Sequence, residues 1–164
     1  MAISPEKKNV VDFGQQETRV WLQILSLHGA VFSSLNAVLG SKLGLSVAKF
    51  DVLAQLYRYQ EGLALGQLSR NLKVSGGNVS GLVQRLLTDA LINKSISSED
   101  RRSFIVRLTP KGKALFQKAA AIHQKHLREC FENVSPDELE HALSILRSLS
   151  TKVRDNDLKR TGKK

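Results

Sequence analysis

The sequence is poor in the residues that form disulfide bonds and aromatic cores. Its 164 residues include one cysteine, Cys130, one tryptophan and three prolines, and aromatic residues make up 5%. A single cysteine cannot form a disulfide within the chain, which is typical of a protein in a reducing cytoplasm. We therefore expect a core built mainly from Leu, Val, Ile and Ala, with Cys130 as an unreactive thiol in a core or an interface.

Patterns typical of enzymes, metal sites and exported proteins are also missing. Gly76 and Gly77 lack the lysine and the spacing of a phosphate-binding loop. His123 and His126 lie three residues apart, but no cysteine or carboxylate completes a clear ligand set, so a structural role is favoured. We expect no catalytic residues, no metal and no cofactor. Because no signal peptide and no stretch approaching a membrane span is evident, we expect a cytoplasmic protein without a membrane partner.

Acidic residues are scarce, and the positive charge is concentrated in one segment. The chain has 25 Lys and Arg against 15 Asp and Glu, for a net charge of +10. Residues 68–118 hold ten of the basic residues and three of the acidic ones, an excess of seven. Such an excess favours a polyanionic partner through counterion release. From charge alone, a basic surface without a partner is an equal alternative.

The basic segment contains two short predicted helices. Leu68 and Leu72 give the first an apolar stripe, and Ser75 is a good N-cap for the second. In the second helix, helical spacing predicts one buried face made of Val79, Leu82, Val83 and Leu86. The opposite face is small, polar and almost free of acid, as a helix in a DNA major groove requires. It consists of Gly76, Gly77, Asn78, Ser80, Gly81, Gln84 and Arg85.

A β-hairpin follows the second helix. Residues 91–97 and 103–109 alternate between apolar and polar, which predicts two paired strands. The tip between them carries Asp100, Arg101 and Arg102. Two adjacent arginines can reach phosphates or a narrow minor groove, and Asp100 can orient one of them through a charge-assisted hydrogen bond. Pro110 suits the first position of the next helix.

These motifs together resemble the MarR family of winged helix-turn-helix transcriptional regulators. The resemblance rests on the helix pair 68–83, the wing tip 100–103 and the segment 108–112, and it extends over about residues 17–155. One departure is Ala90, where the family usually has glycine. The resemblance implies a mainly α fold with a small β-wing. It also implies DNA contacts by Ser75, by the polar face of the second helix and by the wing tip.

Long apolar helices flank the predicted DNA-binding lobe. We expect a flexible arm at 1–16, dimerisation helices at 17–45 and 111–155, the winged helix-turn-helix lobe at 46–110 and a polar tail at 156–164. The apolar faces of the flanking helices are too broad for one small module to cover. They therefore favour a homodimer, which the resemblance also implies, with an intramolecular helical cap as the alternative.

The resemblance further implies a small-molecule effector between the dimerisation helices and the DNA-binding lobe. Any one of the residues in the candidate pocket could equally be an ordinary core residue. As a set, they suit a small aromatic or lipophilic anion, including an acyl conjugate. The set consists of Trp21, His28, Phe32, Phe50, Tyr57, Arg58 and Phe116.

The function predicted from the sequence is a ligand-responsive transcriptional regulator. We expect a repressor that binds a pseudo-palindromic DNA operator as a dimer. An architectural DNA-binding protein without an effector is the alternative. An enzyme that used the winged domain only to dimerise would need a catalytic domain, for which the chain is too short.

Overall fold

The computed structural model describes residues 15–96 and 104–161. Within these ranges the chain is mainly α with a small β-wing, as expected. The elements are α1 (Gln16–Leu43), α2 (Val47–Arg58), β1 (Leu63–Ala64), α3 (Leu65–Leu72), α4 (Gly76–Thr88), β2 (Ile92–Ile96), β3 (Phe104–Leu108), α5 (Pro110–Cys130) and α6 (Pro136–Thr161). Two compact units meet within α5, between His126 and Leu127.

The core of the first unit is built around α2. Five of the twelve residues of α2 are buried, and its N-terminus is capped by Ser46, whose side chain accepts a hydrogen bond from the Lys49 N–H. The Val47 N–H donates to Asn36 Oδ1 at 3.0 Å, which joins the start of α2 to α1. The predicted apolar face of α4 also lies in this core, with Leu82 half-buried at its edge. The fully buried members of that face are Val79, Val83 and Leu86.

Helix α1 spans Gln16–Leu43, within two residues of the predicted bounds 17–45, and ends at a glycine. The helix continues through Gly40 to Leu43, because Leu39 is fully buried and holds its last turns in the core. Gly44 then adopts a left-handed conformation with φ of 62°, and its N–H donates to the Gly40 carbonyl at 2.9 Å. Glycine adopts this conformation without a steric penalty, so it ends the helix cleanly.

The expectation that no stretch approaches a membrane span is wrong for α1. An 18-residue window of this helix has a mean hydropathy of 1.4, so α1 is long and apolar enough to cross a membrane by length and composition. The cause is a run without Lys, Arg, Asp or Glu between Arg19 and Lys42. Part of that apolar character serves packing, since Leu35 and Leu39 belong to the core of the first unit.

The wing is part of a three-stranded antiparallel sheet in the order β1-β3-β2. Sequence periodicity misses β1, which has two residues and pairs Leu63 with Val106. The predicted apolar alternation holds in the inner part of the hairpin, where Ile92 at its base and Val106 at the middle of β3 are buried. At the outer end, Ile96 and Phe104 pair across the strands and are 63% and 42% exposed, because no further layer covers them.

The second unit contains α6, whose N-terminus is closed by a capping box. The Glu138 N–H donates to Ser135 Oγ at 3.3 Å, and the Ser135 N–H donates to Glu138 Oε2 at 2.9 Å. The Ser135 N–H, together with the Ser135 hydroxyl that donates to the same Glu138 oxygen at 2.8 Å, lowers the pKa of the Glu138 carboxyl. Helix α6 continues to Thr161, so residues 156–161 of the predicted polar tail are helical. Thr161 Oγ1 donates to the Asp157 carbonyl and supports this last turn.

No residue of α6 is buried in the structure. Its exposed apolar residues are Leu139, Leu143, Ile145, Leu146, Leu149, Val153 and Leu158. Cys130, at the end of α5, is also exposed, so the prediction that it lies in a core is wrong. The alternative, a position in an interface, stays a prediction.

The exit from α4 is the tightest junction in the first unit. Ala90 has φ of 56°, the left-handed conformation for which the family usually has glycine, and the Leu91 N–H donates to the Leu86 carbonyl at 3.0 Å. This is the bond pattern of a Schellman motif. The first turn of α5 packs directly on this exit, and a Cβ at Gly112 would collide with the Leu91 carbonyl oxygen.

We predict that Gly112→Ala lowers the free energy of unfolding by about 2–3 kcal/mol, because backbone must move to make room for the methyl group. Urea unfolding at fixed protein concentration measures the change. Gly66→Ala is the matched control, since its Cβ would have its nearest neighbour at 3.6 Å. The control should be neutral or stabilising by up to about 1 kcal/mol. Equal stability of the two variants would contradict the predicted collision.

Candidate nucleic-acid interface

The predicted DNA-reading face of α4 lies on the surface. Gly81 is half-buried, and the other six residues of that face are exposed. Ser75 caps the helix by accepting the Asn78 N–H, and Ser80 Oγ donates to the Gly76 carbonyl at 3.0 Å. The side-chain amide of Gln84 has no hydrogen-bond partner among the described residues. The face therefore presents small residues with amide and guanidinium groups available to a ligand.

Glycines make this face concave. A shallow depression of about 460 Å³ runs along α4, next to Ala48 of α2. Gly77 and Gly81 contribute no side chain to it, while Asn78 and Arg85 lie at its sides. A surface of this shape allows close approach of another backbone or of base edges.

Two lysines hold the C-terminal end of α4 in place. Lys49 of α2 lies 2.7 Å from the Asp89 carboxylate, and Lys111 of α5 donates to the Asp89 carbonyl at 2.8 Å. Cations near the C-terminus of a helix are also favoured by the helix dipole. The C-terminal end of α4 is thus tied to both α2 and α5. Sequence patterns do not predict this arrangement, because Lys49 and Asp89 are 40 residues apart.

The electrostatics of this region are strongly positive. In the described parts of the basic segment, 68–96 and 104–118, Asp89 is the single acid, and Lys49 pairs with it. At the wing, Arg107 donates to Ser95 Oγ at 2.8 Å, and Lys94 lies 3.7 Å from the centroid of the Phe104 ring. The predicted tip residues Asp100, Arg101 and Arg102 lie outside the described residues, so their role stays a prediction.

The candidate effector residues form two separate aromatic groups. Phe50 and Tyr57 of α2 pack on Phe116 of α5, with ring centroids 5.5 and 4.6 Å from it. His28 and Phe32 of α1 stack on each other at 5.5 Å. Phe50 is buried as an ordinary core residue. No ring contact joins the two groups within the described residues, so the structure does not bring the set together.

The other members of that set lie on the surface. Trp21 is 57% exposed on α1, and Arg58 is exposed at the end of α2. A pocket that contained Trp21 and Arg58 would need further residues to enclose it, because the described residues leave both side chains exposed. The effector site therefore stays a prediction.

The two histidines of α5 in the first unit make packing and hydrogen-bond contacts. His123 stacks on Phe50 at 4.8 Å, and His126 Nε2 lies 2.9 Å from Ser34 Oγ of α1. Burial, and then the nearby His126, lower the pKa of His123 below its usual value of 6.5. Among the residues with described positions, no three His, Cys, Asp or Glu residues group together as metal ligands.

Comparison with known proteins identifies the family. A model of the MarR family matches residues 43–103. The crystal structure of a MarR family transcriptional regulator from Silicibacter pomeroyi is 43% identical, with a TM-score of 0.76, over 87% of this chain and 98% of that one. The chain belongs to the MarR family. As a member of this family it is a transcriptional regulator and not an enzyme, as the sequence predicted.

Two more distant MarR-type proteins extend the comparison. The HTH-type transcriptional repressor YetL of Bacillus subtilis is 27% identical over 107 residues, which are 65% of this chain and 64% of YetL. The C80S mutant of MarR from E. coli, complexed with operator DNA, has a TM-score of 0.76 at 21% identity. That match covers 82% of this chain and 95% of the other, and it shows a shared fold.

The lowered pKa of His123 predicts a loss of stability in mild acid. The unfolded chain binds a proton at the usual pKa of 6.5, whereas the folded protein binds it only at lower pH. The free energy of unfolding should therefore fall as pH drops through 6.5 towards the folded pKa. His123→Phe keeps a ring against Phe50 and removes the proton, so it should show a smaller fall between pH of about 7.5 and about 5.5.

Urea unfolding across this pH range checks the expectation. The matched control is His141→Phe, because His141 is exposed on α6. Its pH dependence should follow that of the unmodified protein. The interpretation is wrong if the His123 and His141 variants have the same pH dependence.

Proposed function

We propose that this MarR-family regulator is a cytoplasmic, ligand-responsive repressor that binds a pseudo-palindromic operator as a dimer, with α4 in the major groove. The observation that carries the proposal is the exposed face of α4, which combines glycines, amides and an arginine on a helix anchored at its C-terminal end. In support, the E. coli MarR C80S structure with the same fold is complexed with operator DNA.

The chemistry of α4 suits the reading of bases. Asn and Gln amides can pair with the N6 and N7 edge of adenine, and Arg with the O6 and N7 edge of guanine. Asn78 and Gln84 supply the amides, and Arg85 supplies the guanidinium. Because Gly77 and Gly81 add no bulk, the helix backbone can approach the groove floor.

General affinity for DNA would come from charge rather than from base contacts. The described parts of the basic segment, 68–96 and 104–118, contain one acid, Asp89, which is already paired with Lys49. Arg101 and Arg102, in the segment between β2 and β3, would add two cations. Contacts of cations with phosphates are independent of sequence and weaken with salt.

The dimer is supported by apolar side chains that one chain leaves in solvent. On α1, Val20, Leu25 and Leu27 are all 45–49% exposed. On α6, Leu143 and Leu146 are 46% and 43% exposed. Burial of such side chains against a second copy would contribute about 25 cal/mol per Å². A dimer also provides two reading helices, as a palindromic site requires.

Repression and ligand response complete the proposal. YetL, a relative, is named as a repressor. The aromatic group on α1 and the separate group on α2 and α5 would each contribute a wall to a pocket that needs further residues to close it, and His28 and Arg58 could meet an anion. A ligand can release the operator only if it binds the DNA-free state more tightly than the DNA-bound state. An architectural DNA-binding protein would instead bind duplexes with little sequence preference.

Gln84→Ala should relax base preference at one position of each half-site, because it removes one amide contact. The expected loss of discrimination at that position is about 1–3 kcal/mol. Selection from a randomised duplex library measures the preference, and titration of single-base variants measures the energy. Gln124→Ala, on the exposed side of α5, should leave the profile unchanged.

Arg102→Ala provides the contrasting change. It should weaken binding to all duplexes alike and reduce the slope of log affinity against log salt by about 1. An unchanged selection profile for the Gln84 variant, together with an unchanged salt slope for the Arg102 variant, would rule out these groove assignments.

Leu146→Glu should dissociate the dimer, because it places a charge in the apolar face of α6. Sedimentation equilibrium should show a higher dissociation constant, by a factor of about 100 or more. Lys159→Glu, in the basic last turn of the same helix, is the control and should remain dimeric. A monomeric unmodified protein, or equal assembly of both variants, would contradict the proposal.

A further inference from the structure

The depression along α4 has an apolar part that contacts between amides and bases do not use. Three of the residues that line it are apolar, namely Ala48 of α2, Val74 in the turn before α4 and Leu82 of α4. We propose that this α4 depression receives the C5-methyl group of a thymine in the operator and so reads a base through an apolar contact. The inference rests on the proposed function, in which α4 lies in the major groove.

Val74 offers its side chain, rather than its backbone, to a ligand. Its N–H donates to the Ser69 carbonyl at 3.3 Å, and its carbonyl accepts the Ser69 hydroxyl at 2.6 Å. An apolar residue directly before a helix cap often packs on the fourth residue of the helix, which here is Val79. Val79 is fully buried, whereas Val74 is 38% exposed. The turn therefore holds Val74 in place and leaves part of its apolar surface open.

Two glycines of α4 leave space beside these apolar side chains. Among the described residues, a Cβ at Gly77 would have no neighbour within 4 Å. The nearest neighbour of a Cβ at Gly81 would be the Arg85 guanidinium, at 3.7 Å. Open space next to apolar side chains suits a small apolar group, because a polar group placed there would lose water without gaining a partner.

Thymine supplies such a group in the major groove. The base edges present hydrogen-bond donors and acceptors there, and the C5-methyl of thymine is the apolar group among them. Asn78 and Arg85, at the sides of the depression, can bond to the polar groups. A methyl group against Ala48 and Val74 uses the remaining apolar surface. The depression then discriminates thymine from cytosine at a position that no amide needs to contact.

The charge around the depression favours DNA over an apolar segment of a protein. Arg85 lines the depression, and the single acid in the described ranges 68–96 and 104–118, Asp89, is paired with Lys49. An apolar partner would leave this positive charge without a counterion, whereas DNA brings phosphates close to it. A phosphate itself suits the depression poorly, because Ala48 and Val74 have no side-chain donor for it.

Deoxyuridine in place of single thymines tests the proposal on the full-length protein. Selection from the randomised duplex library supplies the operator, and deoxyuridine removes the methyl group while it keeps the polar edge of the base. At one thymine in each half-site we expect binding about fourfold weaker, as for the loss of one buried methyl-sized group. Substitution in both half-sites should weaken binding about 16-fold, because distant effects add.

Val74→Ala should reduce the effect of deoxyuridine at that thymine to less than about twofold, because it removes part of the surface that the methyl group contacts. Val134→Ala is the matched control, since Val134 is 36% exposed and lies between α5 and α6. Its ratio of thymine to deoxyuridine affinity should equal that of the unmodified protein. Because a ratio is compared, a small change in overall affinity does not affect the result.

Gly81→Ala provides the opposite change, because it adds a methyl group to the depression. The new Cβ has room in the folded protein, and alanine favours a helix more than glycine does. We expect this variant to bind the thymine operator about tenfold more weakly, since two methyl groups compete for the same space. It should bind the deoxyuridine operator at least as well as the thymine operator, which reverses the preference of the unmodified protein.

Two results would overturn the proposal while the operator itself stands. One is a selected operator in which every thymine tolerates deoxyuridine. The other is a deoxyuridine effect that Val74→Ala and Gly81→Ala both leave unchanged, which would place the methyl group elsewhere on the protein. Failure of the operator proposal would instead appear as a library without a selected sequence. That result would overturn the thymine contact as well, because no base would then be read.

Discussion

The close contact between the exit of α4 and the start of α5 fixes the position of α4 relative to the wing and to α5. At this point the Leu91 carbonyl meets the backbone of Gly112, with no space for a side chain. The Leu91 carbonyl also accepts the Thr109 N–H, and Thr109 Oγ1 donates to Ala90. One short segment therefore sets the exit of α4, the end of β3 and the direction of α5. A change at this segment would move α4 and the wing together.

Ala90 shows that backbone conformation at this junction is imposed by its surroundings. A left-handed conformation costs a non-glycine residue about 1–2 kcal/mol. The cost is offset by the Schellman bonds of α4 and by the hydrogen bond from Thr109. The two lysine contacts to Asp89 add a further constraint next to it. The resemblance could identify Ala90 as an unusual residue, but only the structure shows which contacts hold it.

Local patterns in the sequence predicted much of the fold. The buried face of α4, its Ser75 cap and the positions of β2 and β3 follow from helical and alternating periodicity. What could not be predicted depends on distant contacts. The two-residue strand β1 is too short to show a period. The aromatic residues of α1 and α2 look alike in sequence, but Phe50 enters the core while Trp21 remains in solvent. The exposed, small and polar face of α4 was predictable because it is defined by one helix.

Exposed apolar residues and positive charge lie on different parts of this small chain. The first unit buries its core around α2, yet Trp21 and Phe32 of α1 are exposed. Helix α6 buries no residue. By contrast, the excess of cations lies on α4, the wing and the start of α5, where apolar residues are buried beneath them. Salt weakens contacts between cations and phosphates and leaves apolar association largely intact. The proposed operator binding would therefore respond to ionic strength while the proposed dimer would persist, and substitutions on different helices would change the two separately.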